Sequence, residues 1–241
     1  MKIEIWSDFA CPFCYIGKQR LEAALDQFEH KDAVKVIFRS FELDPSAPRD
    51  VDYDVHDMLA AKYGMNREQA IAMNKNLSMQ AKEVGLSFQF DSLILTNTFD
   101  AHRLAQYAAS QGKMSEMAKE LFQAYFTDSR HLGDHQTLAE LAVKAGLDHK
   151  EVLQILMSED YSAEVHQDEE EASRLGISGV PFFVIDRKYV VSGAQSTDMF
   201  LQALQTTWNE LQLDVLDDNR SESASATCDD GVCVPSDKSK K

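Results

Sequence analysis

The sequence predicts an α/β fold in the order β-α-β, a long helical insertion, then β-β-α. Three observations carry this. Strand patterns stand only near the two ends of the chain, at Ile3-Glu4-Ile5-Trp6, at Val34 to Phe41, and at Pro181 to Ile185 with Tyr189 to Val191. Between the first two strands, residues from about Cys14 to Phe28 place Ile16, Leu21, Ala24, Leu25 and Phe28 near one face of a helix. From about Tyr53 to Arg174 the apolar residues recur at helical spacing instead.

Local signals justify each element in turn. Asp44-Pro45-Ser46-Ala47-Pro48 ends the second strand, because proline cannot supply ladder hydrogen bonds and the polar cluster favours turns. Within the insertion, Asn66 with Gln69 and Asp148 with Glu151 have capping-box spacing, and Gly112, Gly146 and Gly176 stand where helices should end. Met58, Leu59, Leu104, Tyr107, Met117, Leu121, Phe122, Tyr125, Leu138, Leu141, Val152, Leu153 and Leu156 form its expected core stripes, and most of the nine methionines are read as core. Asp186-Arg187-Lys188 makes a turn between the last two strands. A final helix from about Thr197 to Leu211 is capped by Ser196 or Thr197. This divides the chain into a split α/β unit (1–48 and 176–213), a helical insertion domain (49–175) and a polar, flexible tail (214–241).

With 241 residues the chain can bury a sizeable core, and a net charge of −16 argues against nucleic-acid or anionic-membrane partners. Met1-Lys2 leads straight into a strand with no apolar leader, and no run is long enough to span a membrane; the expected location is the cytoplasm. In a reducing compartment, two close cysteine pairs read as redox-active thiols rather than as structural disulfides.

Cys11-Pro12-Phe13-Cys14 stands at the junction of the first strand and the first helix. A thiol at the first turn of a helix meets unpaired backbone N–H groups and the positive end of the helix dipole. Such positions bring a cysteine pKa from about 8.5 to roughly 3.5–7.5. The functional reading is a redox dithiol with Cys11 as the exposed nucleophile and Cys14 as the resolving thiol. A zinc half-site lacks a second Cys/His pair nearby, so no metal is expected. His131 and His135 lie four apart, but Gly133 and Asp134 between them read as a loop and a helix start rather than as a ligand pair. Asp8 is read as a turn residue or as a proton acceptor beside Cys11. Glu169-Glu170-Glu171 reads as a solvated helix face.

Together with Gly179-Val180-Pro181-Phe182-Phe183-Val184-Ile185, the Ser7 to Tyr15 segment makes the chain resemble the DsbA-like thioredoxin family. It is most similar to the FrnE-like branch, which is related to 2-hydroxychromene-2-carboxylate isomerases and kappa-class glutathione transferases. The resemblance runs from about residue 2 to residue 212 and is also carried by Phe41-Glu42-Leu43-Asp44-Pro45 and Asn97 to Leu104. It implies a thioredoxin fold, with a cis peptide bond before Pro181 facing the dithiol. It also implies that Val180, Pro12 and Phe13 position a substrate peptide, and that Asn97, Thr98, His102 and Arg103 face the dithiol from the insertion. The residues alone read Asn97 equally well as a helix cap followed by surface polar groups. Isomerase relatives usually carry serine at the position matching Cys11, so cysteine here favours thiol–disulfide chemistry.

The expected activity is therefore that of a protein thiol–disulfide oxidoreductase or isomerase. Its cofactor would be its own redox-active disulfide, with glutathione as a candidate co-substrate. Partners would be proteins bearing thiols or disulfides, together with a thioredoxin or glutathione recycling system, and the chain would be a monomer or homodimer. Cys228 and Cys233 flank a glycine-containing turn in the tail. A coil of about 15 residues reaches on the order of 20 Å, so this pair is a candidate intramolecular shuttle, with a divalent-metal site and a passive tail as the alternatives. The alternatives are a glutathione-dependent isomerase or transferase on a small aromatic acid, and a holdase-type chaperone.

Overall fold

The computed structural model describes the fold of residues 1–223, 226–229 and 232–235 and the side-chain environments of residues 1–213. A four-stranded sheet has the order β2-β1-β3-β4. Strand β1 (Lys2–Ser7) runs parallel to β2 (Lys35–Ser40), joined by the crossover helix α1 (Pro12–Gln27). On its other side β1 pairs antiparallel with β3 (Phe182–Ile185), and β3 pairs with β4 (Tyr189–Ser192). Asp186 and Arg187 both take positive φ (48° and 56°) between β3 and β4, the backbone that a tight hairpin turn requires.

Alternation along the strands assigns the faces. Ile3, Ile5, Phe183 and Ile185 point to one side, where α1 and α9 (Thr197–Ser223) cover them with Leu21, Ala24, Phe28, Phe200 and Leu204. Trp6 and Val184 point to the other, against Ala172 and Ile177. On that second face ion pairs supplement apolar packing. Asp168, in α8 (Ser162–Arg174), accepts from Arg39 Nη1 (2.8 Å), the Ser40 N–H (2.9 Å) and Gln106 Nε2 (2.6 Å). Glu4, almost fully buried, pairs with Arg39, Arg187 and Lys2.

Burial raises the Glu4 carboxyl, but the hydrogen bonds from Arg187, Arg39 and Lys2 outweigh this and bring it down to about 2. A depressed carboxylate contributes stability that is present above its unfolded value of 4.5 and lost as pH falls through 2. Glu4→Gln is therefore expected to flatten the acid limb of a urea-midpoint-against-pH curve. The wild-type limb should carry a contribution on the order of 3 kcal/mol from this carboxylate. An unchanged limb would count against the assignment.

The insertion supplies α2 (Val55–Tyr63), α3 (Arg67–Glu83), α4 (Phe99–Ser110), α5 (Met114–Phe126), α6 (His135–Lys144), α7 (His149–Leu156) and α8. Asn66 and Gln69 close a full capping box, and Asp148 caps α7 by accepting from the Lys150 and Glu151 N–H groups. Gly112, Gly146 and Gly176 take the positive φ that ends α4, α6 and α8. Leu104, Leu121, Phe122, Leu138 and Val152 are fully buried, as their spacing predicts.

Four readings are corrected. Helix α1 begins at Pro12, two residues before the expected start, because proline at the first helical position gives up an N–H that no helix bond would use. Of the nine methionines only Met117 is fully buried, and Met79, Met157 and Met199 are exposed, since flexible methionines tolerate helix edges. The triple-glutamate run is not a solvated face throughout. Glu169 accepts from the Glu42 N–H (3.2 Å) and Glu171 pairs with Arg187. Lastly, α9 continues past Leu211 to Ser223, as a stretch without proline or glycine permits, so a coil estimate of reach does not describe residues 214–223. A hairpin of β5 (Ala226–Asp229) and β6 (Val232–Pro235) sets Cys228 opposite Cys233 in backbone register. The shuttle expected of their side chains lies outside the described residues.

Candidate active site

The CPFC segment forms at the C-terminal end of β1 because the chain must turn there from strand into crossover helix. Cys11 is the N-cap of α1, and its sulfur accepts the Cys14 N–H at 3.3 Å. As a thiol it donates to the Val180 carbonyl at 3.6 Å, and the Val180–Pro181 bond is cis. Both thiols are free. Gly17 lets α1 approach this loop, since a Cβ there would stand 3.3 Å from Pro181 and 3.2 Å from Phe183.

Cys11 was expected to be exposed, and it is not: only 3% of the residue is accessible, and it belongs to the same apolar cluster as Phe9, Tyr15 and Phe122. Phe13 is 45% exposed, so the outermost residue of the motif is the aromatic one. Burial pushes the Cys14 thiol well above its ordinary value, and the neighbouring Cys11 sulfur adds to this, while the Ser7 hydroxyl and the Asp8 N–H oppose it. Cys14 is thus held as a thiol. Ser7 was missed by sequence reasoning, although its place at the end of a strand facing α1 marks the position.

Asp8 is the organising carboxylate, and the turn reading holds. Its oxygens accept from the Ala10 N–H (3.1 Å), the Leu43 N–H (2.7 Å) and the Thr98 hydroxyl (2.9 Å), and its carbonyl accepts the Cys11 N–H (3.1 Å). Burial would raise this carboxyl, but hydrogen bonding and attraction from His102, with the Leu43 and Ala10 N–H groups, hold it below the usual range. His102 is buried, with Nε2 3.5 Å from Asp8 and its ring 4.9 Å from that of Phe9. His102 therefore lies beside the dithiol turn.

Asn97 takes the capping role, and its side-chain hydrogen bonds go to Glu42 and Pro45 rather than to the dithiol. It accepts from the Phe99 N–H at the start of α4, and its amide donates to Glu42 and to the Pro45 carbonyl, each at 3.3 Å. Arg103 points elsewhere. It is buried and donates to the Ile155, Leu156, Ser158 and Asp160 carbonyls, and it pairs with Asp100 at 2.8 Å. Its neighbour on the helix, His102, faces Asp8, and successive residues on a helix point about 100° apart, so the two cannot share a target. Arg103 caps the C-terminal end of α7 and leaves the site. His135 likewise turns to Asp100 (2.7 Å) and His131 to the Arg49 carbonyl (3.0 Å), so the two histidines diverge. Among the described residues no group of three His, Cys, Asp or Glu side chains is placed to hold a metal, and no helix is long and apolar enough to cross a membrane.

The fold and the sequence both have relatives among known proteins. A crystal structure of a probable DsbA oxidoreductase from Streptomyces coelicolor is 48% identical, covers 87% of this chain and 91% of its own, and superposes with a TM-score of 0.84. The Bacillus subtilis protein YwbO is 28% identical over 204 residues, 84% of this chain and 94% of its own. A 2-hydroxychromene-2-carboxylate isomerase shares the fold at 16% identity and a TM-score of 0.66, over 90% of this chain and 98% of its own. The family model of the DSBA-like thioredoxin domain matches residues 2–205, and the chain belongs to that family.

Proposed function

We propose that the protein reduces or rearranges disulfides of other proteins through Cys11 and Cys14. The observation that carries this reading is the placement of the Cys11 sulfur, on the N-cap of α1 against the Cys14 N–H and 3.6 Å from the Val180 carbonyl. The Cys11 thiolate attacks one sulfur of a substrate disulfide, forming the mixed disulfide and releasing the other substrate sulfur as thiolate. The Cys14 sulfur then attacks Cys11, closing the Cys11–Cys14 disulfide and expelling the substrate sulfur as thiolate, which takes up the proton Cys14 gives away. The dithiol has given two electrons and the substrate has taken them. Reversal oxidises a substrate, and release before resolution isomerises one.

The recessed sulfur favours disulfides on extended segments, which can enter where a folded surface cannot. Val180, Pro12 and Phe13 would hold such a segment, with its backbone N–H groups competing for the Val180 carbonyl once Cys11 is ionised. Regeneration would draw on a thioredoxin or glutathione system in the cytoplasm, and the Cys228/Cys233 pair would relay electrons within the chain.

Cys14→Ser tests this reading. Challenged with a cysteine-bridged peptide, the variant is expected to accumulate a mixed disulfide on Cys11, seen as a mass increment on the peptide containing residue 11. The wild type should release reduced peptide instead. A Cys14→Ser protein that carries no adduct, or a wild type that turns over chromene carboxylate with glutathione but no disulfide peptide, would overturn the proposal.

A further inference from the structure

Glu42 stands in Phe41-Glu42-Leu43-Asp44-Pro45, a segment the exchange mechanism above gives no task. It is 8% exposed, and one hydrogen bond to its carboxylate is found among the described residues, the long one from Asn97 at 3.3 Å. Every element around it brings a titratable group. The β1–α1 turn brings Asp8, α4 brings His102, and α8 brings Glu169, itself 3.4 Å from His166. Two further carboxylates and one buried imidazole thus act on the Glu42 carboxyl. Like charges at close quarters in a poorly solvated place cannot all ionise together, and one of them keeps a proton.

The hydrogen bonds decide which. Asp8 takes three donors and has His102 Nε2 3.5 Å away, so its charge is satisfied. Glu169 is half-buried and takes the Glu42 N–H and His166. Glu42 has the fewest donors and little water, so its neutral form suffers least. The link to the dithiol is short. The next residue, Leu43, donates its N–H to Asp8 at 2.7 Å, and the Asp8 carbonyl accepts the Cys11 N–H at 3.1 Å.

We propose that Glu42 is a proton-holding positioning residue whose charge state throttles the Cys11 thiol across neutral pH. It rests on the disulfide-exchange reading only for its consequence in turnover. Protonated, Glu42 leaves Asp8 as the sole carboxylate charge beside the turn. Deprotonated, it adds a second negative charge one residue and two hydrogen bonds from the Cys11 turn, which disfavours a thiolate there. The only bond that changes at Glu42 is its carboxyl O–H, whose proton is exchanged with solvent. Burial, with repulsion from Glu169 and Asp8, raises its carboxyl to about 7 against the opposing pull of His102 and Asn97, which puts the transition in the working range.

The test is the pH profile of Cys11 alkylation by iodoacetamide in the reduced full-length protein, read on the peptide containing residue 11 so that the tail thiols do not contribute. The wild type is expected to show an inflection near 7 in addition to that of the thiol. Glu42→Gln should remove it and alkylate roughly three- to tenfold faster above that pH. Glu42→Asp should keep it. Coincident wild-type and Glu42→Gln profiles would overturn the proposal. Should Glu42→Gln not fold, carbon NMR of the wild type follows the Glu42 carboxyl directly, and titration in the ordinary glutamate range would overturn it equally. The profile reports the thiol whatever the substrate, so a protein that shows the inflection but reduces no protein disulfide would fail the proposed function and leave this one standing.

Discussion

Cys11→Ser is expected to abolish disulfide reduction, with a loss of at least about a thousandfold in the initial rate of insulin-disulfide cleavage. A serine hydroxyl is not ionised near neutral pH and is a poor nucleophile towards sulfur, so the first step has no substitute. The fold should survive the change. Serine is among the preferred N-cap residues, and its oxygen can accept the Cys14 N–H that the sulfur accepts now at 3.3 Å. Loss of activity with an unchanged melting temperature would therefore isolate the chemistry. A Cys11→Ser protein that still reduces insulin at the wild-type rate would leave no role for the dithiol. Aggregation suppression that persists in the same variant would favour the holdase alternative.

Arg103→Ala is expected to have the largest effect on stability. The guanidinium is buried and supplies the Ile155, Leu156, Ser158 and Asp160 carbonyls at the end of α7 and in the turn that follows. Alanine removes every one of these donors at once, opens space beneath α7 and leaves Asp100 with His135 alone. Losses from breaking a buried charged network run to about 3–5 kcal/mol. For a chain of this size that corresponds to a fall in melting temperature of roughly 6–20 °C. Lysine should not rescue it, because an ammonium cannot match a planar fork aimed at several carbonyls. A shift of only a degree or two, or full rescue by Arg103→Lys, would show that the network matters little.

The architecture was legible because period and punctuation agree along most of the chain. Ile3 and Ile5 alternate for a sheet, Leu104 and Leu121 recur for helices, and Asn66 with Gln69 marks a helix start that the structure closes on both sides. The dithiol was legible for the same reason, since strand, CxxC and helix occur in succession. Other parts of the site depend on contacts between distant segments. Whether position 102 or 103 faces Asp8 is set by the rotation of α4, and no local signal fixes that to within one residue. Burial of Cys11 likewise follows from packing of Phe9 and Val180 across the fold, where the sequence showed only a helix terminus. Asp168 escaped notice because a lone acid beside a glutamate run looks like surface until Arg39, Ser40 and Gln106 converge on it.

Asp8 ties three far-apart stretches of chain into one knot: its own turn, Leu43 after the second strand, and Thr98 at the mouth of α4. Any tilt of the helical lobe that carries Thr98 must pull on the same carboxylate that braces the Cys11 turn. Substrate pressing on the lobe would then be felt at the sulfur as a mechanical load, without a single contact between them.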